Sequence, residues 1–288
     1  MLKALFSLLF VAFIWGSTFP IQKIVLVGVS PTFYIAVRFF IAALVSYFLF
    51  GKGNVKYGSI LGTLLGIAYT TQTWGLTITT STKSGFITSM YIVFVPVFAY
   101  LLEREIPTIF QIVSFFVASL GLYMISGGIK GFNFGDFLTL ICAVSFALHV
   151  VLITMFSKRV KEVDLLFPQF LVVGILNLIL NVFWKNWNFT LPALGSAVFT
   201  ALAATILAIY LQAKYQKALG NNVSAIVFLG EPVFAAVVSY FMLGETMAGK
   251  QLLGAILLLI SMVFSSLERV KIVREANQKG RDECEDSL

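Results

Sequence analysis

A chain of 288 residues in which 59% are hydrophobic and 11% charged, with a mean hydropathy of +0.95, has too little polar surface to close over a soluble core. Apolar runs approach twenty residues with no period-two alternation, which points to an all-α integral membrane protein and away from an outer-membrane barrel. The net charge of +7 sits in short polar breaks, so it reports membrane orientation and implies no nucleic-acid partner.

Ten membrane spans are predicted, at about 4–25, 31–50, 57–77, 83–102, 108–126, 135–156, 165–184, 193–213, 222–243 and 249–268. The first follows Lys3 as a signal peptide would, but Trp15 and Pro20 occupy the place of a small-residue cleavage site, so it reads as a retained helix. Breakers mark the connections: GKGN at 51–54, Pro107 after EREI, GGIKGFNFGD at 127–136 and LGNN at 219–222. Pro31, Pro107 and Pro192 stand at helix starts, where a missing N–H costs nothing. Residues 269–288 form a charged tail. With the N-terminus inside, the loop lysines and arginines divide 14 against 5, which places both termini in the cytoplasm of an inner, or plasma, membrane.

Shifting the chain by 140 residues aligns Gln72 with Gln212, Ser84 with Ser224, Val93 and Phe94 with Val233 and Phe234, Tyr100 with Tyr240, Glu105 with Glu245 and Gln111 with Gln251. Five spans separate the partners, an odd number, so equivalent segments cross in opposite senses. The expected fold is therefore ten transmembrane helices in two inverted five-helix repeats, 1–128 and 129–268, with a site near the midplane between them.

Three ionisable side chains lie deep in the predicted spans: Arg38, His149 and Glu231. Such groups are costly in hydrocarbon and by default suggest function. Glu231 immediately precedes Pro232, which gives its helix no N–H and crowds the carbonyl one turn back, so backbone polarity there suits a cavity wall; a brace between two helices is the alternative. Arg38 reads as structural, bonded to carbonyls or a helix end. His149 reads as a packing residue or, in a cavity, as a proton-binding group, since imidazole titrates near neutrality. WGSTFP at 15–20 suits a bent helix whose Trp15, Ser17 and Thr18 face the cavity. Tyr69, Gln72, Trp74, Tyr91, Tyr210 and Gln212 can add hydrogen bonds and aromatic walls, with Trp74 and Gln212, near helix ends, the ones that also fit an interfacial aromatic belt. Gly58, Gly62 and Gly66 form a close-packing ridge without a ligand role. Cys142, in an apolar run, and Cys284, in the tail, support neither a disulfide nor a metal site, and no cofactor is implied. No catalytic spacing is present, so the chain does not read as an enzyme.

WGSTF at 15–19, Arg38 followed by Ala42, YIVFVPVFAYLLERE at 91–105 and EPVFAAVVSYFMLGE at 231–245, within duplicated halves, resemble the EamA family of the drug/metabolite transporter superfamily over residues 4–268. That resemblance implies a central cavity bounded mainly by the first, third, fourth, sixth, eighth and ninth helices, alternating access, and a small-molecule substrate, most often an exported amino acid or related metabolite. Import of a vitamin-like or nucleotide-sugar solute is the alternative within transporters; a non-transporting membrane scaffold, using the tail, is the alternative outside them. Membrane lipid is the other partner, and a monomer is the expected state. The chain departs from its own symmetry at Tyr91 and Ile92, which align with Glu231 and Pro232, while Pro96 lies one turn further on. With Arg38, Glu105, Pro232 and Glu245 as structural or functional polar positions, the halves cannot be chemically equivalent.

Overall fold

The computed structural model describes residues 2–104, 109–125, 131–228, 230–261 and 264, with the backbone alone for 103, 111, 217–223, 225 and 226. Regular structure among the described residues is helical throughout. In order it comprises α1 (Leu2–Val25), α2 (Pro31–Phe50), α3 (Val55–Ile78), α4 (Ser81–Ser89), α5 (Tyr91–Glu103), α6 (Ile109–Ile125), α7 (Phe134–Ser157), a 3₁₀ turn (Glu162–Leu165), α8 (Leu166–Trp184), α9 (Leu191–Phe199), a π-helical segment (Thr200–Leu207), α10 (Ala208–Phe228) and α11 (Gly230–Leu243). Gly249–Ser261 adds α12. Six stretches are long and apolar enough to cross a bilayer: Leu2–Val25, Pro31–Phe50, Ser81–Leu102, Phe134–Ser157, Glu162–Trp184 and Leu191–Gln216. The chain is a multi-pass membrane protein.

Local chemistry sets the helix ends. Ser30 caps α2 by accepting from the Phe33 N–H, with Pro31 at the first helical position, and Asn54 caps α3 through Tyr57. Asn133 and Asp136 close a reciprocal capping box on α7. The predicted span at 83–102 stays one apolar stretch, Ser81–Leu102, but carries an irregular turn, and one predicted loop is helical. The irregular turn lies at Met90, whose N–H turns back to the Ile87 carbonyl three residues earlier and so tightens the last turn of α4. At LGNN, 219–222, the backbone stays helical where a loop was expected. The chain nonetheless doubles back within α10. Ala204 and Phe228 both lie against Trp15, and a straight helix would hold residues so far apart in sequence roughly 36 Å from one another.

Two apolar cores organise the bundle. One is built on α2, α3, α8 and the α9–π segment; the other joins α1, α5, α7, α10 and α12. Trp15 and Phe146 border both cores, so the seam between them runs through the middle of the molecule. Close approach of backbones replaces bulk at key crossings: a Cβ on Gly62 would stand 2.6 Å from the Gln169 carbonyl of α8, in keeping with the glycine ridge.

The end of the bundle that holds the α1–α2 turn is tied by polar contacts. Lys23 Nζ donates to the Leu76 and Thr79 carbonyls, each at 2.7 Å. Asp136, fully buried, pairs with Lys83 at 2.7 Å and accepts from Thr79 Oγ1 and the Asn133 N–H. Glu245 accepts from the Ser81 and Thr82 N–H groups at 2.9 and 2.8 Å, and so caps α4 from outside its own segment. Glu105, its predicted symmetry partner, lies outside the described residues, as does the charged tail.

Candidate functional site

The seam opens into a cavity of about 50 Å³. Its wall draws Trp15, Thr18 and Phe19 from α1, Arg38 from α2, Leu65, Tyr69 and Gln72 from α3, Thr88 from α4 and Tyr91 from α5. Phe146, His149 and Val150 of α7, Ile209 and Gln212 of α10, and Glu231 of α11 complete it. Arg38, His149 and Glu231 therefore share one space. A volume of this size admits a few water molecules, whereas drug-sized ligand pockets run to roughly 300–1,000 Å³.

Each polar group is held by a specific contact. Trp15 Nε1 donates to the Ala204 carbonyl at 2.9 Å, which turns the indole across the cavity from α1 to the π-helical segment. Thr18 Oγ1 donates back to the Trp15 carbonyl, and Gln72 Nε2 donates to Thr88 Oγ1 at 3.2 Å. His149 Nε2 meets Gln169 Oε1 at 3.2 Å; an amide oxygen can only accept, so this contact puts the proton on Nε2 and leaves Nδ1 as an acceptor. Tyr91 Oη is buried and has no hydrogen-bond partner among the described residues. The rings of Tyr69, Phe39 and Phe146 pack edge-on or tilted at 4.9 and 5.3 Å between centroids, giving a rigid aromatic wall.

Glu231, at 5% exposure, forms no ion pair or side-chain hydrogen bond among the described residues. Its backbone is fixed instead by Gly16: a Cβ there would lie 2.6 Å from the Glu231 carbonyl oxygen and 2.9 Å from the Ala235 N, so only glycine allows α1 and α11 this approach. Pro232 follows Glu231 within α11.

Most of the residues anticipated as cavity lining face it, whereas Ser17, Tyr210 and Trp74 do not. Ser17 donates its hydroxyl to the Phe13 carbonyl of its own helix. Tyr210 stacks on Phe50, with centroids 6.3 Å apart, and its hydroxyl accepts from Lys214 Nζ. Gln212, placed near a helix end by its sequence position, lines the cavity, and so does Arg38. The π-helical segment accounts for the exchange on α10: one additional residue accommodated in a turn rotates the following helical face by about 100°. Arg38 differs from its expected role too, since it donates to a threonine hydroxyl and not to carbonyls or a helix end. Trp74 packs on Trp184 and Phe134. Among the described residues no cluster of His, Cys, Asp or Glu has the spacing of a metal site.

The EamA-like transporter family matches this chain over residues 2–127 and 133–267. The chain belongs to that family. An EamA relative from Archaeoglobus fulgidus, named an uncharacterized transporter, is 36% identical over 264 residues, covering 91% of this chain and 85% of its own. A crystal structure of another protein superposes with a TM-score of 0.68 at 14% identity, over 92% of this chain and 97% of that one, a likeness of fold. Family and relative together identify a membrane transporter, and in this chain the fold brings Trp15, Arg38 and Glu231 together around the cavity.

Proposed function

We propose that this chain is a secondary transporter that exports amino acids or closely related small metabolites by alternating access. It would do so with ten transmembrane helices in two inverted halves, 1–128 and 129–268, and with both termini in the cytoplasm of the inner membrane. The observation that carries this reading is the cavity itself: a buried, aromatic-walled space on the seam between the two cores, lined by a guanidinium and a carboxyl group that are not paired with each other within 4.0 Å. A zwitterion with an apolar side chain complements such a wall. Tyr91, beside the break at Met90 that ends α4, and Glu231, which aligns with it in the repeat, both line the cavity. Broken helices at a midplane site are the usual device for presenting polar groups within a membrane.

In this reading Trp15, Tyr69 and Tyr91 pack against the solute, Glu231 orients its ammonium group, and His149 and Gln72 complete the polar lining. This cavity is one station of the cycle, and rocking of the halves widens it toward either side. The test is counterflow of radiolabelled amino acids in proteoliposomes. Wild-type protein accelerates exchange of at least one amino acid over protein-free vesicles, and Glu231→Gln lowers that rate tenfold or more with reconstitution unchanged. Absence of exchange for every amino acid ends the substrate assignment, and a Glu231→Gln rate equal to wild type removes the role given to that side chain. Loading the vesicles on one side only, with orientation fixed by protease accessibility of the tail, reads the direction.

A further inference from the structure

We infer that Arg38 is the residue that selects the solute, by holding its carboxylate in a two-pronged hydrogen bond, and that the π-helical segment exists to set the guanidinium for this task. The inference rests on the transporter reading above and names which end of the solute is recognised, and by what.

Arg38 is 1% exposed, and among the described residues no carboxylate lies within 4.0 Å of it. A buried, permanently charged group without a counter-charge is among the most costly arrangements a protein can hold, so a partner has to come from elsewhere. The chain has instead immobilised the side chain with neutral groups. Nε and Nη2 both donate to Thr205 Oγ1, at 3.0 and 2.9 Å. Thr205 in turn gives its own hydroxyl proton to the Thr200 carbonyl at 2.9 Å, five residues back, the spacing of a π turn. With that proton committed, only lone pairs of Oγ1 face the guanidinium, and the threonine is an obligate acceptor.

Among the described residues Nη1 makes no hydrogen bond within 3.5 Å, although the Tyr69 hydroxyl lies near enough to interact with the guanidinium. Nε–H and one N–H of Nη2 form the side edge, which Thr205 occupies. The ring centroids of Tyr69 and Phe39 lie 4.6 and 5.2 Å from Cζ, in cation–π contact. The end edge, formed by Nη1 and the second N–H of Nη2, is the edge that pairs with a carboxylate through two parallel bonds. Arg38 lines the same cavity as Glu231, so a solute seated by its carboxylate on this edge extends toward the carboxyl group on α11. A purely structural arginine would be expected to spread its donors over several carbonyls at a helix end; here two of them converge on one oriented hydroxyl in an irregular turn.

The experiment compares each of a set of amino acids with its amide, which keeps the ammonium group and side chain and removes the negative charge. Both are offered as competitors of counterflow and as ligands in thermal unfolding of the purified protein. For wild type the acid competes at least tenfold better than its amide. Arg38→Gln removes that preference, so that acid and amide compete alike. Thr205→Val, which keeps the charge but releases the fork, raises KM for the acid several-fold and leaves the amide unchanged. If Arg38→Gln does not fold, Arg38→Lys with the same pair of competitors replaces it, and a preference reduced to a few-fold is expected because an ammonium cannot form the two-pronged bond. Equal competition by acid and amide in wild type overturns the role of Arg38 while leaving transport intact. An undiminished preference in a folded Arg38→Gln or Arg38→Lys protein overturns it as well. Failure of acids and amides alike to bind or exchange with wild type overturns the substrate reading on which this inference stands.

Discussion

Replacing Gly16 by alanine adds one methyl group at the point where α1 crosses α11. The new Cβ would stand 2.6 Å from the Glu231 carbonyl oxygen, 2.8 Å from Phe234 Cβ and 2.9 Å from the Ala235 N. Ordinary contact begins at 3.4 Å, so the closest of these is short by about 0.8 Å. Two of the three obstacles are backbone atoms of a helix and cannot rotate away; the helices have to part. Overpacking of this kind costs about 1–3 kcal/mol. Alanine's better helix propensity returns about 0.5–1 kcal/mol. The expected net loss is about 1 kcal/mol within a range of about 0–2.5 kcal/mol, read as a midpoint of thermal unfolding in detergent a few degrees lower. Gly195→Ala supplies the internal control, because a Cβ there meets nothing within 4 Å and the propensity gain acts alone. That variant is expected to be as stable as wild type or more so. Displacement of Glu231 by a fraction of an ångström also predicts slower counterflow for Gly16→Ala than its remaining folded fraction explains. A Gly16→Ala protein that unfolds at or above the wild-type temperature, in step with Gly195→Ala, would show that the crossing is not limited by backbone contact and would refute the reasoning.

Two more predictions concern the tied end of the bundle. Lys83→Met leaves the fully buried Asp136 without its cation, and because Lys83 itself is 12% exposed the loss should fall near or below the lower end of the range for buried pairs, roughly 3 kcal/mol, measured by thermal unfolding; a change under about 0.5 kcal/mol would contradict it. Glu245→Ala removes the acceptor of two N–H groups at the start of α4, at a cost of roughly 1–2 kcal/mol. Amide hydrogen exchange over Ser81–Ser89 should then quicken about tenfold, and unchanged exchange would mean that Thr80 caps α4 unaided.

The membrane character of the chain was legible because apolar runs the width of a bilayer have no other use, and the helix starts were legible because Ser30, Asn54 and Asn133 are capping residues wherever they stand. The site was legible through cost: Arg38, His149 and Glu231 are expensive at mid-membrane, and the fold gathers all three. What hydropathy could not give was backbone direction. Met90 carries an irregular turn within a span, with no proline or glycine at that point, through a bond three residues back. Nor does composition mark TALAATIL at 200–207 as a π helix, yet that segment decides that Gln212 faces the cavity while Tyr210 faces Phe50, and it turns Thr205 toward Arg38. Asp136 escaped notice because it stands at a helix start, where a capping role is ordinary; its pairing with Lys83 and Thr79 depends on contacts between different helices.

The cap that Glu245 places on α4 has a mechanical side. Gly85 of α4 lets Ala235 of α11 approach closely, Ser81 and Ser239 share a hydrogen bond at 2.8 Å, and Glu245 closes the far end of the same pair. α4 and α11 are thus welded along their length into one lever. α4 ends at the Met90 turn, next to Tyr91, and α11 carries Glu231 in the same cavity wall. A displacement of this pair would therefore move two residues of the cavity wall together, Thr88 of α4 and Glu231 of α11.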